Sequence, residues 1–131
     1  MSPGPLSLIS YWYIAPNCET AAIAALEQLA KDVRAAEPDT LSYLVHIPFH
    51  GDAGSIQSLP PAVSRSVLFF EIYRTPQAFL DHVNGPVFVN FVTQHGSLFV
   101  NANGKPFTTV EFLSRVAGFS RAELGGHAGG A

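Results

Sequence analysis

The sequence predicts an α+β domain whose elements follow the order β-α-β-β-α-α-β. Segments with β-branched and aromatic residues alternate with segments that repeat apolar residues at helical spacing, and Pro, Gly and Asn mark the junctions. This order is ferredoxin-like, with a four-stranded antiparallel sheet and the helices on one of its faces. The other face is bare and apolar, so we expect two protomers to pack face to face as a dimeric α+β barrel.

Composition also predicts a hidden partner surface. The 131 residues are 47% hydrophobic and only 13% charged, whereas about a quarter charged is usual. The length allows one domain, so a homodimer best explains the missing charge. A net charge of −3 argues against nucleic-acid binding. No apolar run reaches the roughly 18 residues of a membrane span.

The N-terminal sequence and the cysteine content indicate the compartment. The N-terminal residues lack the basic region that opens a signal peptide. The chain has one cysteine, Cys18, which excludes an internal disulfide and fits a reducing environment. We therefore expect a cytoplasmic protein.

Pro- and Gly-containing stretches set the domain limits. Residues 1–5 form a tail, residues 6–113 form the domain, and residues 114–131 form a C-terminal arm with a Gly-rich, disordered end. Residues 115–124 are predicted to form a short final helix or an arm. Residues 48–64 form a long loop without periodicity, a candidate lid or binding arm.

Alternation of side chains predicts strands over residues 6–15, 40–47, 67–74 and 107–113. Helical spacing predicts a long helix over residues 20–36 and two short helices between residues 75 and 95. Residues 96–104 are predicted as a plain connection. Because the first and third strands are apolar on both faces, both faces must be covered.

Local residue choices predict where the helices begin and end. Asn17 is a candidate N-cap for the first helix, and Pro38 ends it. Thr75 offers a capping hydroxyl to the second helix and is followed by a proline, which suits the first helical position. The tripeptide Asn-Gly-Pro at residues 84–86 ends that helix and starts the next.

Ionisable side chains on the apolar surfaces around the third strand are candidates for catalysis. His82 is a candidate base because imidazole titrates near neutral pH, or else a core histidine bonded to a strand. A buried carboxylate must be paired or protonated, so Glu71 is expected to pair with His82 or Arg74. Tyr73 is either a hydrogen-bond donor to substrate or a cross-strand aromatic.

Further aromatic and polar residues are candidate substrate contacts, although core packing explains most of them equally well. The predicted substrate-binding residues are Tyr11, Trp12, Tyr13, His46, Phe88, Asn90, Phe91 and His95. One side of the aromatic run at residues 11–13 must point to the helices. His46, His50 and Asp52 lack the spacing of metal ligands, so no metal site is predicted.

Residues 71–88 contain the pattern E-x-Y-(x)4-A-(x)3-H-(x)3-P-x-F, formed by Glu71, Tyr73, Ala78, His82, Pro86 and Phe88. This pattern resembles the antibiotic biosynthesis monooxygenase (ABM) domain family of the dimeric α+β barrel superfamily. Residues 37–43 resemble that family's Glu-Pro-Gly-x-Leu-x-Tyr lead into the second strand. Lys-Pro-Phe at residues 105–107 resembles the start of its last strand, so the resemblance spans about residues 6–113.

The resemblance implies a cofactor-independent monooxygenase that oxidises a quinol or a hydroxylated, polyketide-like aromatic with O2. It implies His82 as the base, assisted by Tyr73 and Glu71, with no flavin, metal or nicotinamide. The sequence contains no nucleotide-binding fingerprint. A deprotonated, electron-rich phenol can itself give an electron to O2, so the protein needs a base, donors to the anion and a dry pocket.

Three alternative functions fit the same residues. Haem-degrading relatives of the family need an axial histidine and a strand-end tryptophan, where this chain has Phe91 or Val92 and Tyr73, although His95 lies one turn on. A non-catalytic barrel that binds a small ligand would use the polar residues as a structural pair. An isomerase or cyclase acting on a polyketide-like ring would use the same base and consume no oxygen.

Overall fold

A computed structural model describes residues 4–121 of the protein. The strands are β1 (Leu6–Tyr13), β2 (Thr40–His46), β3 (Ser66–Tyr73), β4 (Asn101–Ala102), β5 (Lys105–Pro106) and β6 (Thr109–Leu113). The helices are α1 (Glu19–Ala36), α2 (Pro76–Asn84) and α3 (Pro86–His95). None of these helices is both long and apolar enough to cross a bilayer.

Four of the strands form one antiparallel sheet in the order β2-β3-β1-β6. Strands β1 and β3 are therefore central, and β2 and β6 are the edge strands. The predicted α+β, ferredoxin-like class is confirmed. The short strands β4 and β5 form a separate hairpin.

Side-chain alternation on the central strands builds the core on the face that the helices cover. Phe69 and Tyr73 on β3 are buried, as are Leu8 and Trp12 on β1. Helix α1 completes the main core with the apolar side of its turns, through Ala22, Ala25, Leu26, Leu29 and Val33. Burial of this apolar area is the main stabilising contribution to the fold.

The opposite face of the sheet is apolar and only half-buried. Ile9 on β1 lies opposite Phe70 on β3, and Phe70 lies opposite Leu44 on β2. Leu68 and Ile72 lie on the same face of β3 as Phe70, and all five side chains have intermediate exposure. We call Ile9, Leu44, Leu68, Phe70 and Ile72 the open sheet face.

Of the two N-caps predicted from the sequence, the structure has the one for α2 and not the one for α1. The Thr75 hydroxyl accepts a hydrogen bond from the Ala78 amide at 3.1 Å, so the predicted N-cap of α2 is confirmed. The prediction for Asn17 is wrong, because Cys18 occupies the N-cap position of α1 and makes no side-chain cap bond. Asn17 instead takes φ 65° in the preceding turn, a backbone region that asparagine tolerates well.

The region after α3 is more structured than predicted. The connection at residues 96–104 contains a short 3₁₀ turn, Gly96–Leu98, and most of the β4–β5 hairpin. Asn103 and Gly104 have positive φ values of 55° and 80° and form the turn of this hairpin. The last strand of the sheet consequently begins at Thr109, two residues later than expected.

The predicted long loop is present and carries exposed apolar side chains. It holds a single 3₁₀ turn, Gly54–Ile56, and exposes 71% of Phe49 and 94% of Leu59. Residues 114–121 form no helix. The predictions for residues 1–3 and 122–131 lie outside the described residues.

Candidate active site

Five polar side chains meet where β2 begins and β3 ends, beneath α2. His82 is 3% exposed, and with Ala78, one turn earlier, it forms the buried side of α2. Glu71 and Tyr73 lie on the helix-facing side of β3. Tyr43 on β2 is the cross-strand neighbour of Glu71, and Glu37 precedes β2. We call Glu37, Tyr43, Glu71, Tyr73 and His82 the polar cluster.

A carboxylate on another element holds the His82 ring. Nδ1 of His82 lies 2.7 Å from Oε1 of Glu37, and the Thr40 hydroxyl donates to the same oxygen at 2.9 Å. Both side chains of the pair are largely buried. The second contact fixes the carboxylate, and the carboxylate in turn fixes the orientation of the imidazole.

The partners of Glu71 differ from those expected. The Tyr73 hydroxyl donates to Oε1 of Glu71 at 2.5 Å, and no His82 or Arg74 bond to Glu71 is found in the described residues. Arg74 instead donates to Asp39 at 2.9 Å. The expected pairing of Glu71 with His82 or Arg74 is therefore wrong. Side chains two residues apart on one strand point to the same face, which allows the Glu71–Tyr73 bond.

Burial dominates the electrostatics of the cluster. It raises the pKa of Glu71 to about 7, with the Tyr73 hydrogen bond opposing the rise and the Glu37 charge adding to it. Burial, together with the negative charge of Glu71, raises the pKa values of Tyr43 and Tyr73 well above the ordinary value. Both phenols therefore stay protonated near neutral pH and are hydrogen-bond donors.

Burial lowers the pKa of His82 below its ordinary value of 6.5, and the nearby Glu37 carboxylate offsets only part of the decrease. The imidazole is therefore neutral near pH 7. Because the carboxylate can only accept, the single ring proton lies on Nδ1 and Nε2 carries the lone pair.

His82 lines a cleft of about 260 Å³ between the α1–β2 turn and the α2–α3 corner. The ring's one hydrogen bond within the described residues uses Nδ1. No described buried side-chain nitrogen or oxygen lacks a partner, so Nε2, which makes no hydrogen bond to the described residues, is not fully buried. Val87 at the start of α3 also lines the cleft, and its N–H has no acceptor within the helix. The residues that carry this basic nitrogen and this amide donor thus line the same cleft.

Aromatic rings surround the imidazole. Ring centroids of Tyr43, Tyr73 and Phe88 lie 5.4, 5.6 and 5.1 Å from that of His82. Of the predicted substrate contacts, Phe88 therefore lies at the site. The structure brings together Glu71, Tyr73, His82 and Phe88 from the predicted set.

The other predicted substrate contacts lie elsewhere. Trp12 is 5% exposed and packs in the core against Phe69, Phe88, Phe91 and Phe99. Side chains of Tyr11, Tyr13 and His46 alternate onto the opposite side of the sheet. Asn90, Phe91 and His95 line a different groove of about 300 Å³ between α1 and α3.

Two members of the polar cluster were not among the predicted site residues. Glu37 and Tyr43 both lie in the 37–43 motif, which was interpreted only as the lead into a strand. The sequence did contain a signal for them. The 37–43 motif holds a glutamate and a tyrosine, as does the third strand with Glu71 and Tyr73. Charge in that motif could have identified Glu37 as a partner for an imidazole.

Solved structures share this fold. Rv0793 from Mycobacterium tuberculosis is 21% identical, with a TM-score of 0.63 and coverage of 89% of this chain and 100% of that chain. PA3566 from Pseudomonas aeruginosa is 23% identical, with a TM-score of 0.65 and coverage of 89% and 99%. A structure described as antibiotic biosynthesis monooxygenase is 17% identical, with a TM-score of 0.63 and coverage of 86% and 99%. No functionally curated protein matches the sequence significantly.

The fold and the site define a ferredoxin-like α+β protein with a buried histidine–carboxylate pair beside the sheet. A family profile described as antibiotic biosynthesis monooxygenase matches residues 5–94, more than half of the chain. The chain belongs to the antibiotic biosynthesis monooxygenase family, so the resemblance noted in the sequence is confirmed.

Proposed function

We propose that the protein is a cofactor-independent monooxygenase that oxidises a quinol or a hydroxylated aromatic with O2. One observation carries the proposal: a neutral, buried His82 lines the cleft, its Nδ1 is held 2.7 Å from Glu37, and its Nε2 has no partner in the described residues. Membership of the family supports this reaction class. A positioned base of this kind is what a substrate that must be deprotonated before it reacts with O2 requires.

His82 acts as the general base. Nε2 takes the phenolic proton, and the Glu37 carboxylate stabilises the imidazolium that forms, as a carboxylate does for a catalytic histidine. The Val87 amide, at the positive end of α3, lies beside the same cleft and favours the phenolate. Tyr43 and Tyr73 stay protonated and do not compete for the proton.

The electrons then come from the substrate alone. The phenolate transfers an electron to O2, and the resulting radical pair combines at the ring. For a quinol, one oxygen atom enters the product as the hydroxyl of a hydroxyquinone, and the other leaves as water. The four electrons that reduce O2 all come from the quinol. The aromatic rings around His82 exclude water that would otherwise intercept these species.

Oxygen uptake tests this function. Metal-stripped, full-length protein is mixed with a panel of quinols and polycyclic phenols in an oxygen electrode, without flavin or nicotinamide. We expect uptake with one substrate class and formation of one hydroxylated product per O2. Folded protein that consumes no oxygen with any member of the panel would overturn the proposal and favour a ligand-binding or isomerase role.

We further propose that the protein forms a homodimer through the open sheet face. This face is apolar and half-buried, and the chain carries only 13% charged residues. A Phe70→Asp substitution at its centre is expected to yield monomers in sedimentation velocity. Leu80→Asp, which changes a side chain 47% exposed on α2, is the control and is expected to stay dimeric. A monomeric wild-type protein at tens of micromolar would contradict the proposal.

A further inference from the structure

The cleft in front of His82 carries an excess of negative charge. Glu37, Asp39 and Asp81 line it, and none of its described lining residues is a lysine or an arginine. The Asp39 charge is balanced, because Arg74 donates to that carboxylate at 2.9 Å. Glu37 and Asp81 have no such cation within hydrogen-bonding distance in the described residues.

His82 does not balance this charge in the free protein. The side chain is 3% exposed, and burial lowers its pKa, so the ring is neutral near pH 7. The residue lines the cleft, and its Nε2 atom has no partner in the described residues and is not fully buried. A basic nitrogen without a partner, on a residue that lines an acidic cleft, can accept a hydrogen bond from a ligand hydroxyl.

We propose that this cleft selects an uncharged, hydroxyl-bearing aromatic ring and excludes ring carboxylates, sulfates and phosphates. The inference rests on the proposed function, because it assumes that the substrate hydroxyl meets His82. A neutral phenol that gives its proton to Nε2 leaves the total charge of the cleft unchanged. A ligand that is already an anion adds a charge beside Glu37 and Asp81, and this repulsion is strong in a partly desolvated site.

The start of α3 does not reverse this preference. A helix N-terminus is equivalent to roughly half a positive charge, and its influence fades within the first turn. That is enough to favour a phenolate formed next to an imidazolium. It does not offset an additional full negative charge on the ligand.

Two probes that share the naphthalene ring and differ in the charge of their substituent test the proposal. Full-length protein is titrated with 2-naphthol and with 2-naphthoate at a pH where the first is neutral and the second is ionised, and the His82 ring resonances are followed by NMR. We expect 2-naphthol to shift those resonances and to bind at least about tenfold more tightly than 2-naphthoate. Equal or tighter binding of 2-naphthoate would overturn the proposal. Failure of both probes to move the His82 resonances would overturn it too.

A matched pair of variants assigns the selectivity to the cleft. Gln77 donates to Asp81 at 3.0 Å and Gln28 donates to Asp32 at 2.8 Å, so both aspartates sit in equivalent exposed pairs on helices. Asp81→Asn is expected to reduce the binding ratio about threefold, whereas Asp32→Asn, outside the cleft, should leave it unchanged. High salt should also reduce the ratio, because it screens the carboxylates. An equal effect of both variants would contradict the assignment.

The binding ratio and oxygen uptake fail independently. A preference for 2-naphthol without oxygen uptake by any phenol would support the proposed charge selectivity and contradict the proposed monooxygenase activity. Suppose instead that the protein consumes oxygen with an anionic substrate and binds that substrate as tightly as its neutral analogue. This result would support the monooxygenase activity and contradict the charge selectivity.

Discussion

Replacing His82 with glutamine is expected to lower the rate of oxygen consumption by a factor of about 100 or more, the typical contribution of a general base. Glutamine keeps a donor that can reach the Glu37 carboxylate, so the buried charge retains a partner. It removes the basic ring nitrogen, because neither atom of an amide is protonated near neutral pH. The loss should therefore appear in turnover, measured with an oxygen electrode, while the circular dichroism spectrum stays native.

Two other histidines provide controls for this substitution. His46 lies on the opposite side of the sheet and His95 lines the α1–α3 groove. His46→Gln and His95→Gln are expected to retain turnover within about twofold, because neither ring reaches the cleft. If His82→Gln keeps the wild-type rate, the base is another group and the proposed mechanism is wrong.

Glu37→Gln separates positioning from catalysis. An amide at this position no longer requires the proton on Nδ1 and no longer stabilises the imidazolium. We expect a lower rate together with an altered pH profile of turnover. A purely structural role for Glu37 would lower stability and leave the pH profile of the remaining activity in place.

The free energy of unfolding of Glu71→Gln, relative to that of the wild type, is expected to rise by about 3 kcal/mol from acidic to alkaline pH. Burial raises the pKa of Glu71 from 4.5 in the unfolded chain to about 7 in the fold, and each pKa unit corresponds to about 1.36 kcal/mol. The folded state therefore holds this proton more firmly. The contribution to the free energy of unfolding is fully present below pH 4.5 and is lost as the pH rises through 7. Glutamine can still accept the Tyr73 hydrogen bond but does not titrate.

Urea unfolding of both proteins between pH 4 and pH 8.5 measures this effect. His82 contributes in the opposite direction, because its folded pKa is lowered and its contribution is lost as the pH falls below the ordinary value of 6.5. His82 is present in both proteins, so the difference between the two curves isolates Glu71. Relative to wild type, the variant should gain stability as the pH rises. Glu111→Gln on exposed β6 serves as control, and a flat difference curve for Glu71→Gln would contradict the assignment.

The local elements were predictable because their signals are local. Strand β3 lies within one residue of its predicted limits at each end, since an uninterrupted alternation defined it. The hairpin at residues 101–106 was missed although its Asn103-Gly104 turn is a known signal. Its strands are only two residues long, too short to produce an alternation. Asn17 is not the cap because it lies one residue before the N-cap position, in a turn where its φ is positive.

The members of the site were more predictable than their pairing. Glu71, Tyr73 and His82 stand out as ionisable groups in apolar segments. The bond between His82 and Glu37 joins residues far apart in sequence, and it depends on how α2 packs over the α1–β2 turn. That packing follows from the whole core, so alternation and spacing within each segment do not determine it.

The sheet order β2-β3-β1-β6 has a consequence for how the chain folds. No pair of neighbouring strands in this sheet is joined by a tight turn. Strands β2 and β3 follow each other directly, yet the long exposed loop separates them. Every ladder must therefore close a long stretch of chain before its contacts form, and each doubling of a loop adds about 0.6 kcal/mol of closure entropy. Such non-local topology slows folding, and it leaves the helices, whose contacts are local, to form first.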